Sequence, residues 1–218
     1  MQSVRFYSVN PERSREQGKA CMSIELTKEE LQGLLTKATG GDEFAWKQIV
    51  DAYAFRVFAL LRSKCMNEEL AEEITQSTFC TVAEKLSSYT ESGKFEPWLF
   101  RIAMNRLRDE MRRRKRHAVP MENEMIGILT KGTMDSESDN SPDELALKRL
   151  REAVRMLPSS DQDIIHMRHS AGMSYKQIAS ALDEPLGTVL ARQHRALKKL
   201  RSLMETGLEQ EKGAIESS

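Results

Sequence analysis

The sequence predicts an all-α protein built from two small helical domains, and three observations lead to this expectation. Apolar residues recur at spacings of three and four along most of the chain, as on the buried faces of amphipathic helices. No segment shows the alternating apolar pattern of a half-buried strand. The 218 residues include only 6 Pro and 11 Gly, too few for a many-turned β fold.

The first predicted domain is a four-helix bundle. Its first helix starts at a capping box formed by Thr27 and Glu30. The second and third helices cover residues 42–65 and 68–89, each with an apolar stripe. The fourth helix is expected to have Pro97 at its first position, where no backbone N–H donor is needed. Four helices with short connections favour a bundle.

The second predicted domain ends in a helix-turn-helix. Its first helix begins at Pro142 and is closed by Pro158. The next helix is expected to use Ser160 and Asp163 as its cap. Residues 175–200 then read as a short helix, a tight turn and a longer helix.

Within the helix-turn-helix, short sequence patterns predict where the helices begin and which residues pack. Ser174 and Gln177 form a capping box before the short helix. Val189 and Leu197 are expected to supply the apolar side of the longer helix. The turn has Asp183 where glycine is common, and Asp tolerates the left-handed conformation.

Charge is balanced over the chain but segregated along it. Lys+Arg and Asp+Glu both number 33, which gives a formal net charge of zero. Residues 94–116 contain nine basic and three acidic residues, and residues 186–204 contain five basic residues and no acid. Between them, residues 118–145 contain seven acids and one lysine. Two basic helices separated by an acidic segment indicate two nucleic-acid-binding modules on a linker, with solvated helix faces as the alternative.

These patterns predict five segments. They are a flexible N-terminal extension (1–24), the four-helix domain (25–116), a flexible acidic linker (117–141), the helix-turn-helix domain (142–205) and a C-terminal tail (206–218). The apolar residues at 125–129 allow a short helix inside the linker.

The longer helix of the helix-turn-helix presents a polar and basic face. In this motif the N-terminal turns of the second helix enter the major groove, where arginine can bind guanine through two hydrogen bonds. Lysines further along the helix are better placed for phosphates. The candidate DNA-binding residues on this face are Thr188, Arg192, His194, Arg195, Lys198 and Lys199. A basic helical hairpin that binds no nucleic acid is the alternative.

Several motifs resemble the extracytoplasmic-function group of sigma-70-type bacterial RNA polymerase sigma factors. Residues 71–79, AEEITQSTF, are similar to that group's polymerase-binding helix. Residues 95–105, FEPWLFRIAMN, resemble its promoter-melting stretch, and residues 187–201 resemble its second DNA-reading domain. The chain departs from the group's pattern at Ser77, where Glu is usual, and at Gln193, where Leu is usual.

The resemblance implies a subunit that binds core RNA polymerase, recognises the −10 and −35 promoter elements and promotes DNA melting. The polymerase-binding face, which would contact the β′ clamp helices, comprises Glu69, Glu72, Glu73, Gln76 and Phe79. The −10 side comprises Asn105, Arg108, Asp109, Arg112 and Arg113. The −35-reading positions are Thr188, Arg192 and Arg195. The resemblance also implies contacts to the β flap and, often, an inhibitory anti-sigma factor.

Promoter melting requires base steps to be unstacked, at about 1–2 kcal/mol each. Capture of flipped bases in a pocket is one source of that free energy. The loop at residues 88–96 is placed to line such a pocket. Trp98 either stacks on a base there or packs in the core, and Tyr89 has the same two interpretations.

Nothing in the sequence indicates an enzyme, a metal or a cofactor. His166 and His169 are three residues apart on a helix, but packing is favoured over metal binding. The three cysteines have no metal-ligand spacing, and their sparseness is typical of a reducing cytoplasm. No apolar run approaches the roughly 20 residues that span a bilayer, and no secretory signal is visible. The remaining alternative function is a stand-alone helix-turn-helix regulator that binds operators without polymerase.

Overall fold

The computed structural model describes residues 26–90, 92–117 and 142–215, with side chains described for 26–90, 92–116 and 145–205. These residues form eight α-helices and one 3₁₀ turn and contain no strand, so the all-α prediction is confirmed. The helices are α1 (Lys28–Thr39), α2 (Glu43–Cys65), α3 (Glu68–Lys85), α4 (Phe95–His117), α5 (Pro142–Arg155), α6 (Ser159–His169), α7 (Tyr175–Leu182) and α8 (Leu186–Ile215). The extension at 1–24, most of the linker with its expected helix at 125–129, and residues 216–218 lie outside the described residues.

The chain divides into two compact units, one containing α1–α4 and the other α5–α8. In the first unit α2 is central, because it packs against α1, α3 and α4. The largest side chains that these helices bury completely are Ile49, Val57, Leu60, Leu61, Phe95, Leu99, Phe100 and Met104. Burying one such side chain contributes about 1.5–3 kcal/mol relative to leaving it in water. This core fixes the outward faces of α3 and α4.

Side-chain caps define the helix starts of the first unit. At α1 the hydroxyl of Thr27 accepts from the Glu30 N–H, and the Glu30 carboxylate accepts from the Thr27 N–H, as the capping box predicts. At α2 the carboxylate of Asp42 accepts from two backbone N–H groups, at 2.9 and 3.0 Å. At α3 the side-chain oxygen of Asn67 accepts from the Leu70 N–H at 2.7 Å. Each cap satisfies donors that the helix itself leaves without partners.

The start of α4 differs from the prediction by two residues. The helix begins at Phe95, so Pro97 is its third residue rather than its first. Proline is still tolerated there, because N–H groups in the first turn have no acceptor inside the helix. The first intrahelical bond of this turn runs from the Trp98 N–H to the Lys94 carbonyl, at 3.0 Å. Burial of Phe95, which is 1% exposed, extends the helix toward its N-terminus.

The helix-turn-helix is formed by α7 and α8. The capping box of Ser174 and Gln177 is present at the start of α7. Asp183 ends α7 in the left-handed conformation, with φ 59° and ψ 43°, which confirms the expected geometry of the turn. The backbone N–H groups of Asp183 and Glu184 both donate to the Ala179 carbonyl. The turn is therefore held by two backbone hydrogen bonds.

Two expectations for the second unit are wrong. α6 begins at Ser159 after Pro158, whose carbonyl accepts from the backbone N–H groups of residues 161 and 162, and no side chain caps it. Asp163 is buried, at 8% exposure, so it does not form the expected cap with Ser160. Leu197 is 47% exposed and does not pack in the core.

The buried face of α8 instead runs through Val189, Gln193, Ala196 and Leu200, which recur at spacings of three and four. Gln193, at 5% exposure, occupies an interior position. Its departure from the family's usual Leu therefore changes the core and not the outward face of α8. The helix also continues to Ile215, into the segment predicted to be a C-terminal tail (206–218).

The left-handed turn yields a stability prediction. D183A should destabilise the second unit by about 1–2 kcal/mol, because a Cβ without a local polar group disfavours this conformation. D183G should stay near the wild type, since glycine adopts it freely. Amide hydrogen exchange in α7 and α8 should be about tenfold faster in D183A. Equally fast exchange in D183G would assign the effect to the lost carboxylate and contradict the backbone explanation.

Candidate functional site

An acidic surface covers the N-terminal half of α3. Glu69, Glu73 and Gln76 are exposed there and Glu72 is half-buried, at helical spacings that place them on the outward side. The opposite side of α3 is buried, including Leu70, Ile74, Thr78 and Val82. Carboxylates near a helix N-terminus are also favoured by the helix dipole. We call Glu69, Glu72, Glu73 and Gln76 the α3 acidic face.

Phe79, the fifth residue of the expected polymerase-binding face, lies in the core and not on the α3 acidic face. It is 3% exposed, and its ring meets the edge of Trp46 with centroids 6.3 Å apart. A partner docked on the intact unit would not reach this side chain. Phe79 supports the α3 acidic face from inside the core.

The C-terminal half of α4 is densely basic, but part of this charge is neutralised within the helix. Glu110 accepts from Arg113 at 2.7 and 2.9 Å and from Arg114 at 2.8 Å. These hydrogen bonds, first from Arg113 and then from Arg114, lower the pKa of Glu110 to about 2. The carboxylate is thus ionised at any physiological pH and holds both guanidiniums in place.

The remaining residues of the expected −10 side are also brought together on α4. Asn105 and Asp109 are exposed, one turn apart. Arg108 is half-buried and donates to the Asn105 side-chain oxygen at 3.1 Å. Arg112 is 75% exposed and lies 3.8 Å from an Asp109 carboxylate oxygen, a loose pair that solvent screens. We call Asn105, Arg108, Asp109, Arg112 and Arg113 the α4 polar face.

A groove separates the α3 acidic face from the α4 polar face. Arg106 of α4 reaches across it and donates to the hydroxyls of Ser77 and Thr81 on α3. The groove is lined by Glu73, Lys85, Asn105, Asp109, Arg113 and several neighbours. Ser77 therefore has a structural partner at the position where the family usually carries a glutamate.

An aromatic cluster lies beside the N-terminus of α4. The ring of Trp98 stacks on that of Tyr89, with centroids 4.5 Å apart and planes 24° from parallel. Both rings also contact Phe95. Arg56 forms an ion pair with Glu96 and lies over the Phe100 ring, 5.4 Å from its centroid. One face of Trp98 is already covered, which favours the packing interpretation over stacking on a base.

The outward face of α8 carries all six side chains expected to bind DNA. Thr188, Arg195, Lys198, Lys199 and His194 are exposed, and Arg192 is half-buried. Thr188, Arg192, Arg195 and Lys199 form one stripe at spacings of four, three and four. Arg192 donates to the Glu184 carboxylate at 2.8 Å. We call the six residues the α8 basic face.

Sequence reasoning missed three residues of these surfaces. Glu110 has a local signal, because it precedes Arg113 and Arg114 by three and four residues, the spacing of helical ion pairs. Arg106 and Glu184 have no such local signal, because the contacts of Arg106 join two helices and the contact of Glu184 joins a turn to a helix.

The described residues also bear on metal binding and on membrane spanning. Within residues 26–90, 92–117 and 142–215, no cluster of three or more His, Cys, Asp and Glu is arranged to hold a metal ion. His166 is half-buried and His169 is exposed on α6. Among the described helices, none combines the length and apolarity needed to cross a membrane.

Both units of the chain are similar to known protein families. Residues 49–117 match the family described as Sigma-70 region 2, and residues 153–202 match Sigma-70, region 4. The chain is 31% identical over 171 residues to the ECF RNA polymerase sigma factor SigW of Bacillus subtilis, covering 74% of this chain and 89% of SigW. It is 29% identical over 177 residues to the RNA polymerase sigma factor NccH of Alcaligenes xylosoxydans xylosoxydans, covering 80% of this chain and 95% of NccH.

Two solved structures have a similar fold. One is CnrH in complex with the cytosolic domain of CnrY, with a TM-score of 0.62 and 22% identity, covering 81% of this chain and 98% of CnrH. The other is the sigma factor RpoE of Bartonella quintana in complex with the anti-sigma factor NepR. Its TM-score is 0.56 at 24% identity, covering 73% of this chain and 96% of RpoE.

The Glu110 pair predicts a pH dependence for the stability of the first unit. Because the folded-state pKa of about 2 is below the ordinary 4.5, the ionised carboxylate stabilises the fold above pH 4.5. That stabilisation is lost as the pH falls toward 2. E110Q should therefore be less stable than the wild type at pH 7, by up to about 1 kcal/mol, and the difference should shrink below pH 4.5.

Urea unfolding followed by tryptophan fluorescence measures this difference in the first unit alone, because the chain's 2 tryptophans are both there, in α2 and α4. E84Q, which removes an exposed glutamate from α3, serves as the control. An E110Q effect that persists unchanged at pH 3, or that E84Q reproduces, would contradict the assignment.

Proposed function

The chain belongs to the extracytoplasmic-function group of sigma-70-type RNA polymerase sigma factors. We propose that it is a promoter-specificity subunit whose two units have different binding functions. The first unit, residues 25–116, docks on core polymerase and engages the −10 element. The second unit, residues 142–205, reads the −35 element. The linker at 117–141 tethers the two.

The observation that carries this proposal is the opposite charge of two surfaces on one small unit. The α3 acidic face repels a phosphate backbone, so it suits a basic protein surface such as the β′ clamp helices. The α4 polar face, one groove away, combines an exposed amide and carboxylate with cations. Such a mixture can hydrogen-bond to bases and neutralise phosphates.

The α4 polar face is proposed to bind the non-template strand of the −10 element. Arg112 projects into solvent and is available for a phosphate. Arg113 keeps its cationic charge while Glu110 fixes its geometry. Asn105 and Asp109 supply the acceptors and donors that distinguish bases. The free energy of these contacts offsets the roughly 1–2 kcal/mol needed to unstack each base step.

The α8 basic face is proposed to lie in the major groove of the −35 element. Its stripe of Thr188, Arg192, Arg195 and Lys199 follows the side of the recognition helix that faces bases. Lys198 and His194 flank this stripe and are placed for backbone contacts. The β flap is the proposed polymerase partner of this unit.

Further parts of the proposal rest on likeness to relatives. An anti-sigma factor is a proposed partner, because CnrH and the Bartonella quintana RpoE, which share the fold, are solved with a CnrY domain and with NepR. The protein is proposed to act in the cytoplasm, where polymerase and promoter DNA meet. It is proposed to act by binding, with no catalytic chemistry of its own.

Polymerase binding can be tested by charge reversal on α3. E69K/E72K/E73K should weaken binding to core RNA polymerase about tenfold or more, because like charges are then placed against a basic partner. The control E29K/E43K/E84K changes the net charge equally at three exposed glutamates of the same unit. Fluorescence anisotropy with labelled protein measures the affinity, and tryptophan fluorescence verifies folding.

Unchanged binding by the α3 variant, or equal weakening by the control, would remove this face from the proposal. Specific operator binding by the chain alone, together with no binding to core polymerase, would instead favour the stand-alone regulator.

The −10 role can be tested on α4. R112A/R113A holoenzyme should form fewer open complexes, and the slope of log affinity against log salt should become shallower by about 1.4, or about 0.7 for each cation lost from a single-strand contact. K28A/K37A removes two exposed lysines from α1 as the matched control. Permanganate reactivity of thymines measures melting on a template that the wild-type holoenzyme selects from a randomised library. A salt slope equal to that of the wild type would contradict the proposed phosphate contacts.

A further inference from the structure

Glu184, in the turn between α7 and α8, holds an arginine of the α8 basic face. Its Oε1 accepts from Arg192 Nη1 at 2.8 Å, and both side chains are about one-quarter exposed, at 27% and 26%. The pair joins the turn to the second turn of α8, eight residues further along. Partial burial makes it stronger than a pair of fully exposed side chains.

The carboxylate is itself held in place from the backbone side. The Glu184 N–H donates to the Ala179 carbonyl at 3.0 Å, and the left-handed Asp183 directs the chain into the turn. The second carboxylate oxygen, Oε2, is buried and has no hydrogen-bond partner within the described residues. A buried acceptor without a donor is unfavourable, and this one belongs to the side chain that holds a proposed DNA-reading arginine.

Holding Arg192 has a direct consequence for base recognition. An arginine side chain in solvent samples many rotamers, and this conformational freedom is lost when the side chain binds in one geometry. Two hydrogen bonds to one guanine require the guanidinium plane in a single orientation. Because Glu184 uses Nη1, other N–H groups of the guanidinium remain for a base edge. The ion pair therefore prepares Arg192 for one geometry before DNA arrives.

We propose that Glu184 is a positioning residue that sets base preference in the −35 element by fixing the guanidinium of Arg192. This inference rests on the proposed function of α8. The carboxylate also adds negative charge at the edge of a DNA-binding surface, where it weakens contacts that do not depend on sequence. Glu184 thus favours selectivity at the expense of general affinity.

The test uses holoenzyme assembled from core polymerase and the full chain. The probe is a linear template library in which each randomised six-base-pair −35 element is linked to a barcode in the transcribed region, and sequencing of the barcodes in the run-off transcripts gives a base profile for each variant. The variants are the wild type, E184Q, R192A and the double variant. D183N is the matched control, because it removes one carboxylate from the same turn and asparagine tolerates the left-handed conformation.

R192A should flatten the profile at one or two positions. E184Q should reduce enrichment about five- to tenfold at those same positions, within the range of a lost bidentate contact. Transcript yield from non-preferred templates should be maintained or raised. The double variant should match R192A, because Glu184 acts only through that arginine. D183N should keep the wild-type profile.

Each other outcome has a defined meaning. An E184Q profile equal to the wild type, with R192A flattened, overturns the inference and leaves the proposed function in place. An R192A profile equal to the wild type overturns the −35 role of Arg192 itself. If E184Q flattens positions that R192A leaves intact, or if amide exchange in α7 and α8 accelerates, Glu184 supports the fold and the inference is wrong.

Discussion

The packing of α3 against α4 is the contact on which the first unit's functional surfaces depend. The acidic and polar faces are the outward sides of these two helices, so their separation is set by the core beneath them. Opposite charges this close would favour direct pairing across the groove. The structure instead connects the helices through Arg106, which donates to two hydroxyls of α3. A neutral acceptor on α3 leaves the exposed carboxylates available to a partner.

Within α4, part of the basic charge is paired with an acidic residue of the same helix. Glu110 accepts hydrogen bonds from Arg113 and Arg114, so part of the dense basic charge of the helix is paired within α4. Glu110 and Glu184 perform a similar task in separate units, since each orders arginine side chains that would otherwise sample many rotamers. Ordering before binding lowers the entropy that must be lost in the complex.

Local sequence patterns predicted most of the helices because the signals that start and end a helix are short. The capping boxes at Thr27 and Ser174 and the left-handed Asp183 each involve residues a few positions apart. Errors arose where tertiary packing decided the outcome. α4 starts early because Phe95 is drawn into the core, and Asp163 is buried instead of capping α6.

For the functional surfaces, too, contacts between residues close in sequence differ from contacts between distant residues in how well a sequence pattern predicts them. Periodicity and charge located the α3, α4 and α8 faces, since side chains on one helix face recur every three or four residues. Phe79 was grouped with the acidic face by motif, whereas its spacing from Thr75 and Val82 places it with the buried side. The contacts of Arg106 and Glu184 could not be predicted, because no local rule relates residues 25 or more positions apart, or a turn residue to one eight positions along the following helix.

In a chain of zero formal net charge, acidic and basic side chains of the first unit act on each other electrostatically, as Glu73 of α3 does on Arg113 of α4. The α3 acidic face contributes Glu73, and the α4 polar face contributes Asn105, Asp109 and Arg113, to the lining of one groove. The negative potential of the α3 acidic face opposes phosphate binding by α4. Under the proposed function, a basic polymerase surface that covers α3 would neutralise this opposition and favour phosphate binding by α4.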